Sequence, residues 1–325
     1  MKKYFTFFLL SFVFSNIFLF SQFGGGTGNT IYDPYEIWEK NHIGELSDSL
    51  FGSTLWSANK HFKLMRDVKD SLTSSITIYY FYGYFHGNKK KIFLAIDVDS
   101  LFNNFTSSNA LFPNVSNAGN IDNLDLDGYI TSVMYAGGIV VANDTEITQC
   151  INNATIISTN TTVIYGSSVG AIAAISYGTI SHCINNGNVS GLDFVAGIAT
   201  QNLGVITNCI NTGKIKGTEL SNTGYIGVAG ITTELYSGRY ILNCINLGDV
   251  EGINSVSGIV GNAYEAINPP QTEIANCINA GFIKGKKDVS GILGYQGGTE
   301  VIIRNCINTG IIEGEENVGS IVGKE

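Results

Sequence analysis

Gly178-Thr-Ile-Ser-His-Cys-Ile-Asn-Asn-Gly-Asn-Val-Ser-Gly191 is one copy of a pattern that recurs through the second half of the chain. Its centre, Ile-x-x-Cys-Ile-Asn, occurs six times, with cysteines at Cys150, Cys183, Cys209, Cys244, Cys277 and Cys306. The steps between them are 33, 26, 35, 33 and 29 residues, and these six are all the cysteines of the 325-residue chain. Two positions after each Asn stands Gly187, Gly213, Gly248, Gly281 or Gly310, with Ala154 in the first copy. Two further on comes a branched aliphatic residue: Ile156, Val189, Ile215, Val250, Ile283 or Ile312. A second string, V-[GAS]-[GAS]-I, opens each unit at Val169, Val195, Val228, Val256, Val289 and Val318, with Ala136–Ile139 as a weaker first copy.

Fixed strings with drifting spacing mean that insertions are confined to loops between strands, which is how a solenoid varies. A unit of about 30 residues cannot bury a core alone, but stacked units share one. The Ile and Val positions are expected to fill the interior in ladders. The recurring Asn152, Asn185, Asn211, Asn246, Asn279 and Asn308 suit a stacked amide ladder or a left-handed turn. Parity leaves open which residue of each Cys-Ile pair points inward. A straight strand from the preceding Ile would turn Gln149, His182, Asn208, Asn243, Asn276 and Asn305 inside; a bend at that residue, the preferred reading, turns Cys inside. Six cysteines in an exported chain ordinarily imply disulfides. Here all six share one repeat position, which argues for a buried ladder of free thiols. Coils about 4.8 Å apart also bring the Cα atoms within disulfide range.

The reading is therefore all-β: a parallel β-helix or β-solenoid with a small α+β N-terminal cap. Composition agrees, with 14% charged residues, 39 Gly and 4 Pro. Residues 1–21 read as a signal peptide, with Lys2 and Lys3 before an apolar stretch and Ser21 at the cleavage point. The competing reading is an uncleaved anchor. No second apolar run of spanning length follows, so no transmembrane segment is expected after signal removal. Residues 22–100 are assigned to the capping region and 101–325 to the solenoid, its coils beginning near Ile121. Within the cap, residues 36–50 suit an amphipathic helix through Ile37, Ile43, Leu46 and Leu50. Residues 71–85 and 91–98 read as strands. The last repeat is incomplete, because Val318-Gly-Ser-Ile-Val-Gly323 opens a unit just before the chain stops. A truncated or open-ended solenoid is expected.

At this point the residues resemble a known family. The stretch 178–191, preceded by Val169-Gly-Ala-Ile172, is similar to the GLUG-motif repeats of bacterial secreted and surface proteins, with Ile replacing the usual Leu and the Tyr after Cys. The segments at Gly24–Gly28, Asp33–Ile37, His61–Val68 and Gly83–Asn88 are similar to the region that precedes such repeats. The resemblance implies a β-solenoid, a secreted or cell-surface location, and an adhesin-like role. Such repeats also occur beside the catalytic domains of immunoglobulin A peptidases.

Candidate chemistry is sparse. A net charge of −9 disfavours nucleic acid as a partner. Asn123, Asp125 and Asp127, in Asn123-Leu-Asp-Leu-Asp-Gly128, mimic the start of a calcium loop, but Met134 stands where the twelfth-position Glu is needed. The same stretch alternates as a strand. The four histidines, His42, His61, His86 and His182, are far apart and form no H-E-x-x-H pair. Gly24–Gly28 lacks the Lys-Ser/Thr of a phosphate loop, and no nucleophile elbow frames a serine. The aromatic run Tyr79–Phe85 is either a sugar-stacking platform or packing between cap and solenoid. No catalytic residue, cofactor or enzyme activity is expected. The leading reading is a scaffold for an unknown surface ligand, glycan or protein. The alternatives are a polysaccharide-acting enzyme, which would cluster three or more carboxylates in a groove, and a pure spacer.

Overall fold

The structure is a computed structural model that describes residues 23–48, 57–73, 78, 80–97, 108–115, 119–159, 167–218, 226–264, 271–297 and 301–325. The expected signal segment, residues 1–21, lies outside them. One turn of the chain shows how the coil is built. It runs through Ser168–Gly170, then Ala173–Ser176, then three short strands, Thr179–Ser181, Ile184–Asn185 and Val189–Gly191. Stacking such turns gives three parallel sheets: a first of 23 short strands, a second of nine and a third of eight. The third sheet takes one strand from each coil from Ser108 onward, so the solenoid has about eight complete turns.

Inside, side chains stack in columns. One runs Ile121, Ile147, Ile180, Ile206, Ile241, Ile274 and Ile303, each in register with the next. A second runs Ile96, Ile130, Ile156, Val189, Ile215, Val250, Ile283 and Ile312. β-Branched side chains suit this pleated stack, and burying each contributes roughly 1.5–3 kcal/mol before the cost of ordering. From Ile121 onward the step between these columns is nine residues in every copy, as in Ile180 to Val189 and Ile241 to Val250. Length varies at two corners instead. One lies before the third sheet, short from Val189 to Val195 and long from Ile215 to Val228. The other lies before the first sheet, short from Ala173 to Ile180 and long from Val260 to Ile274.

The bend before cysteine has a backbone cause. Gln149, His182, Asn208, Asn243, Asn276 and Asn305 all have positive φ, between 53° and 56°. One left-handed residue breaks the two-residue alternation, so that both the Ile three places back and the Cys face inward. Asn and His accept this conformation better than branched residues do. The Ile after each Cys consequently faces outward and is half-buried from Ile151 to Ile278.

Two boundaries differ from those expected. The solenoid does not begin at 101 or Ile121, because Tyr35, Phe62 and Phe85 continue the first column upstream in parallel register. Tyr84–Ile96 pairs with Asn120–Ser132 almost throughout its length. Aromatic rings replace Ile in these coils, and that change of chemistry hid the repeat. The rings form one cluster, with centroids 5.7 Å apart for Phe62 and Phe81 and 5.1 Å for Phe85 and Phe112. Residues 36–50 are also not one helix. Tyr35–Ile37 is a strand, and the helix spans Lys40–Asp48, burying Ile43 and Leu46 in the core. Leu50 lies outside the described residues. No helix among the described residues is long and apolar enough to cross a membrane.

Candidate functional site

The repeated polar residues point into the solenoid. Asn152, Asn185, Asn211, Asn246, Asn279 and Asn308 form an amide ladder, each Nδ2 donating to the next Oδ1 at 2.7–2.9 Å. Each Nδ2 also donates to the carbonyl two residues on, as from Asn185 to Gly187 at 2.9 Å. The ladder starts where Leu126 occupies the equivalent position, and there Asn152 Oδ1 has no donor. Glycine is required beside it. A Cβ on Gly258 would sit 2.3 Å from the Asn279 amide, and one on Gly248 2.0 Å from the Gly213 carbonyl.

The six cysteines are free thiols, five buried and Cys306 half-buried. Each Sγ faces the carbonyl two residues back and one on the preceding coil, 3.3 Å and 3.7 Å away for Cys183. Burial pushes the Cys150 and Cys209 thiols up, which keeps them protonated. These ladders carry packing and hydrogen bonding.

Asn123, Asp125 and Asp127 lie along one strand, Asn120–Ser132. Asn123 takes the left-handed corner (φ 52°) that Gln149 takes one coil later, and Leu124 and Leu126 fill the core. Asp127 pairs with Lys91 Nζ at 3.0 Å, and its hydrogen bond from Lys91 lowers its carboxyl below the ordinary value. Burial raises the Asp125 carboxyl. In the aromatic run, Phe81 and Phe85 are fully buried, while Tyr80 is exposed; Tyr79 lies outside the described residues.

What topology does assemble is a polar and aromatic patch on the outer face of the second sheet. Gln201, Glu234, Asn262, Tyr295 and Lys324 are cross-strand neighbours on successive coils. Glu234 is buried beneath it, with Gln201, Tyr264 and Tyr236 next to its carboxyl. Its Oε2 lies 3.5 Å from the Tyr236 hydroxyl. Burial raises its carboxyl above the ordinary value, since no Lys or Arg stands among the groups acting on it. Burial, then the neighbouring carboxylate, pushes Tyr236 up to about 12. The Tyr236 and Tyr264 rings lie 5.9 Å apart at 47°, Lys324 Nζ sits 5.3 Å over Tyr295, and Tyr177 is 53% exposed. Sequence reading missed this patch because its cross-strand members are 28 to 33 residues apart and share no motif. Only the register of the second sheet aligns them.

No family model matches the chain, and no curated protein matches it. Among solved structures, it is similar to a crystal structure from Bacteroides ovatus described as a candidate immunoglobulin A1 protease. The identity is 17% and the TM-score 0.56, over 90% of this chain and 80% of that one. At that identity the likeness speaks for the fold alone.

Proposed function

We propose that this chain is a non-enzymatic recognition scaffold of the GLUG-repeat kind, displayed at a bacterial cell surface, which binds a saccharide on the outer face of the second sheet. The observation that carries the reading is Glu234 held beneath Tyr236 and Tyr264, with Gln201 and Asn262 on either side. Sugars present hydroxyls to carboxylate and amide groups and C–H faces to aromatic rings, and this patch offers both. Hydrolysis needs a second carboxyl group working opposite the first. Among the described residues no carboxylate stands with the groups that shift Glu234, which supports binding over cleavage.

A glycan-array screen of the chain, followed by calorimetry on the best ligand, tests this. Binding that weakens at least tenfold in Tyr236→Ala and Glu234→Ala supports the site. Release of reducing ends from a bound polysaccharide would move the assignment to an enzyme. A chain that binds no glycan would leave the spacer reading.

A further inference from the structure

His61 and His86 are 25 residues apart in sequence, yet coil stacking brings their rings together on the outer face of the first sheet. His61 Nδ1 lies 3.0 Å from His86 Nε2, and the rings are nearly parallel, 9° apart with centroids at 5.3 Å. On the other side of His86, Nδ1 lies 2.6 Å from Asp122 Oδ2. Asp122 is itself held by Asn123 Nδ2 at 2.8 Å. The carboxylate thus accepts the Nδ1 proton of His86 and fixes its tautomer, leaving the Nε2 lone pair directed at His61. His61 is steadied by stacking on Tyr84, centroids 4.5 Å apart.

A carboxylate behind one imidazole, with a second imidazole converging on its free nitrogen, is the outer-shell and inner-shell arrangement of a histidine metal site. Two nitrogens bound at 2.0–2.1 Å with a tetrahedral angle lie about 3.3 Å apart, so the pair has to open by roughly 0.3 Å, each ring has to turn by about 35° to aim its lone pair at the ion, and His61 has to move its proton from Nδ1 to Nε2. We propose that His61 Nδ1 and His86 Nε2 bind one transition-metal ion of the kind imidazole prefers, zinc, copper or nickel, with Asp122 as the positioning carboxylate behind His86.

No trio of His, Cys, Asp and Glu donors surrounds an ion position among the described residues, so water fills the remaining coordination. Space for it exists in the adjoining cavity of about 280 Å³, lined by His86, Asp122, Asn123, Lys63 and Lys89. The charge balance is near even. Lys63, the cross-strand neighbour of His86, and Lys89 oppose a cation, while Asp122 and Glu36 flank the same column and offset them. With two protein ligands the site is an open one, of moderate affinity. In the unliganded state the same nitrogens are satisfied by a hydrogen bond from one imidazole to the other, so the site requires no ion to fold.

Calorimetric titration of the untagged chain with zinc chloride, and separately with copper chloride, tests the proposal. One ion per chain is expected, with affinity falling at least about tenfold in His86→Ala and about 10–100-fold in Asp122→Asn. His61→Phe keeps the ring stacked on Tyr84 while removing both nitrogens, so it separates ligand loss from misfolding. Circular dichroism checks that each variant is folded, and His182→Ala is expected to bind as the parent does. Electron paramagnetic resonance of the copper form should show two nitrogen ligands. Binding that survives the His61→Phe/His86→Ala double variant, or no binding at millimolar metal, overturns the site.

Discussion

At the scale of single residues, the buried polar groups divide by how they are satisfied. In mid-ladder, Asn211 both receives from Asn185 and donates to Asn246, so Asn211→Ala strands an amide on each side. A loss of about 2–4 kcal/mol in urea unfolding is expected, from roughly 1–3 kcal/mol per unmet buried group. Asn152→Ala should cost clearly less, because its Oδ1 already lacks a donor and one strand of the ladder ends there. Equal costs would mean that the ladder hydrogen bonds contribute little. Glu234 provides a pH handle. Burial holds its folded carboxyl above the unfolded value, so its contribution to stability is fully present below the unfolded value and is lost as pH rises through the folded one. The melting temperature of the parent should therefore fall relative to that of Glu234→Gln as pH rises above the ordinary carboxylate range. A difference independent of pH would show that the carboxyl is not shifted.

At the scale of elements, rigid strands alternate with corners that tolerate length. The stretch from Ile241 to Val250 contains the left-handed Asn243, inward Cys244 and ladder Asn246, whereas Gly238 lies in a turn between sheets. Inserting two residues after Gly238 should cost less than about 1 kcal/mol by loop-closure entropy. The same insertion after Cys244 shifts the inward and outward sets against the neighbouring coils and is expected to prevent folding of that region. Urea unfolding of the two variants checks this. The cysteine strands make a separate prediction. In the native protein a thiol reagent should label Cys306 ahead of the other five, and denaturation without reductant should release six reactive groups. Fewer than six would indicate disulfides between coils.

At the scale of the whole molecule, each coil contacts its neighbours, so damage should remain local at first. Phe85 joins the aromatic coils to the Ile-lined ones, through Phe62 on one side and Ile121 on the other. Phe85→Ala is expected to cost about 3–5 kcal/mol. Hydrogen exchange should then speed up in strands around residues 61–64 and 121–130 while those near Ile274 keep their protection. Uniform loss along the chain would mean that the solenoid unfolds as one unit.

Fold class and the repeat were legible in order of residues alone, because a solenoid needs the same side chains at the same step and the step repeats visibly; the bend at Cys was one of two readings until the left-handed residue before it settled the choice. Ile180, Cys183, Asn185, Gly187 and Val189 describe a complete rung without reference to any other. Register decided the rest. That Tyr35, Phe62 and Phe85 extend the Ile column depends on which strand lies above which, and shape complementarity in a packed core accepts a ring where the pattern shows Ile. Likewise Glu234 with its tyrosines, and His61 with His86 and Asp122, become neighbours only through stacking of coils. Their contacts run across the chain direction, where intervening corners change length, so spacing along the sequence carries no trace of them.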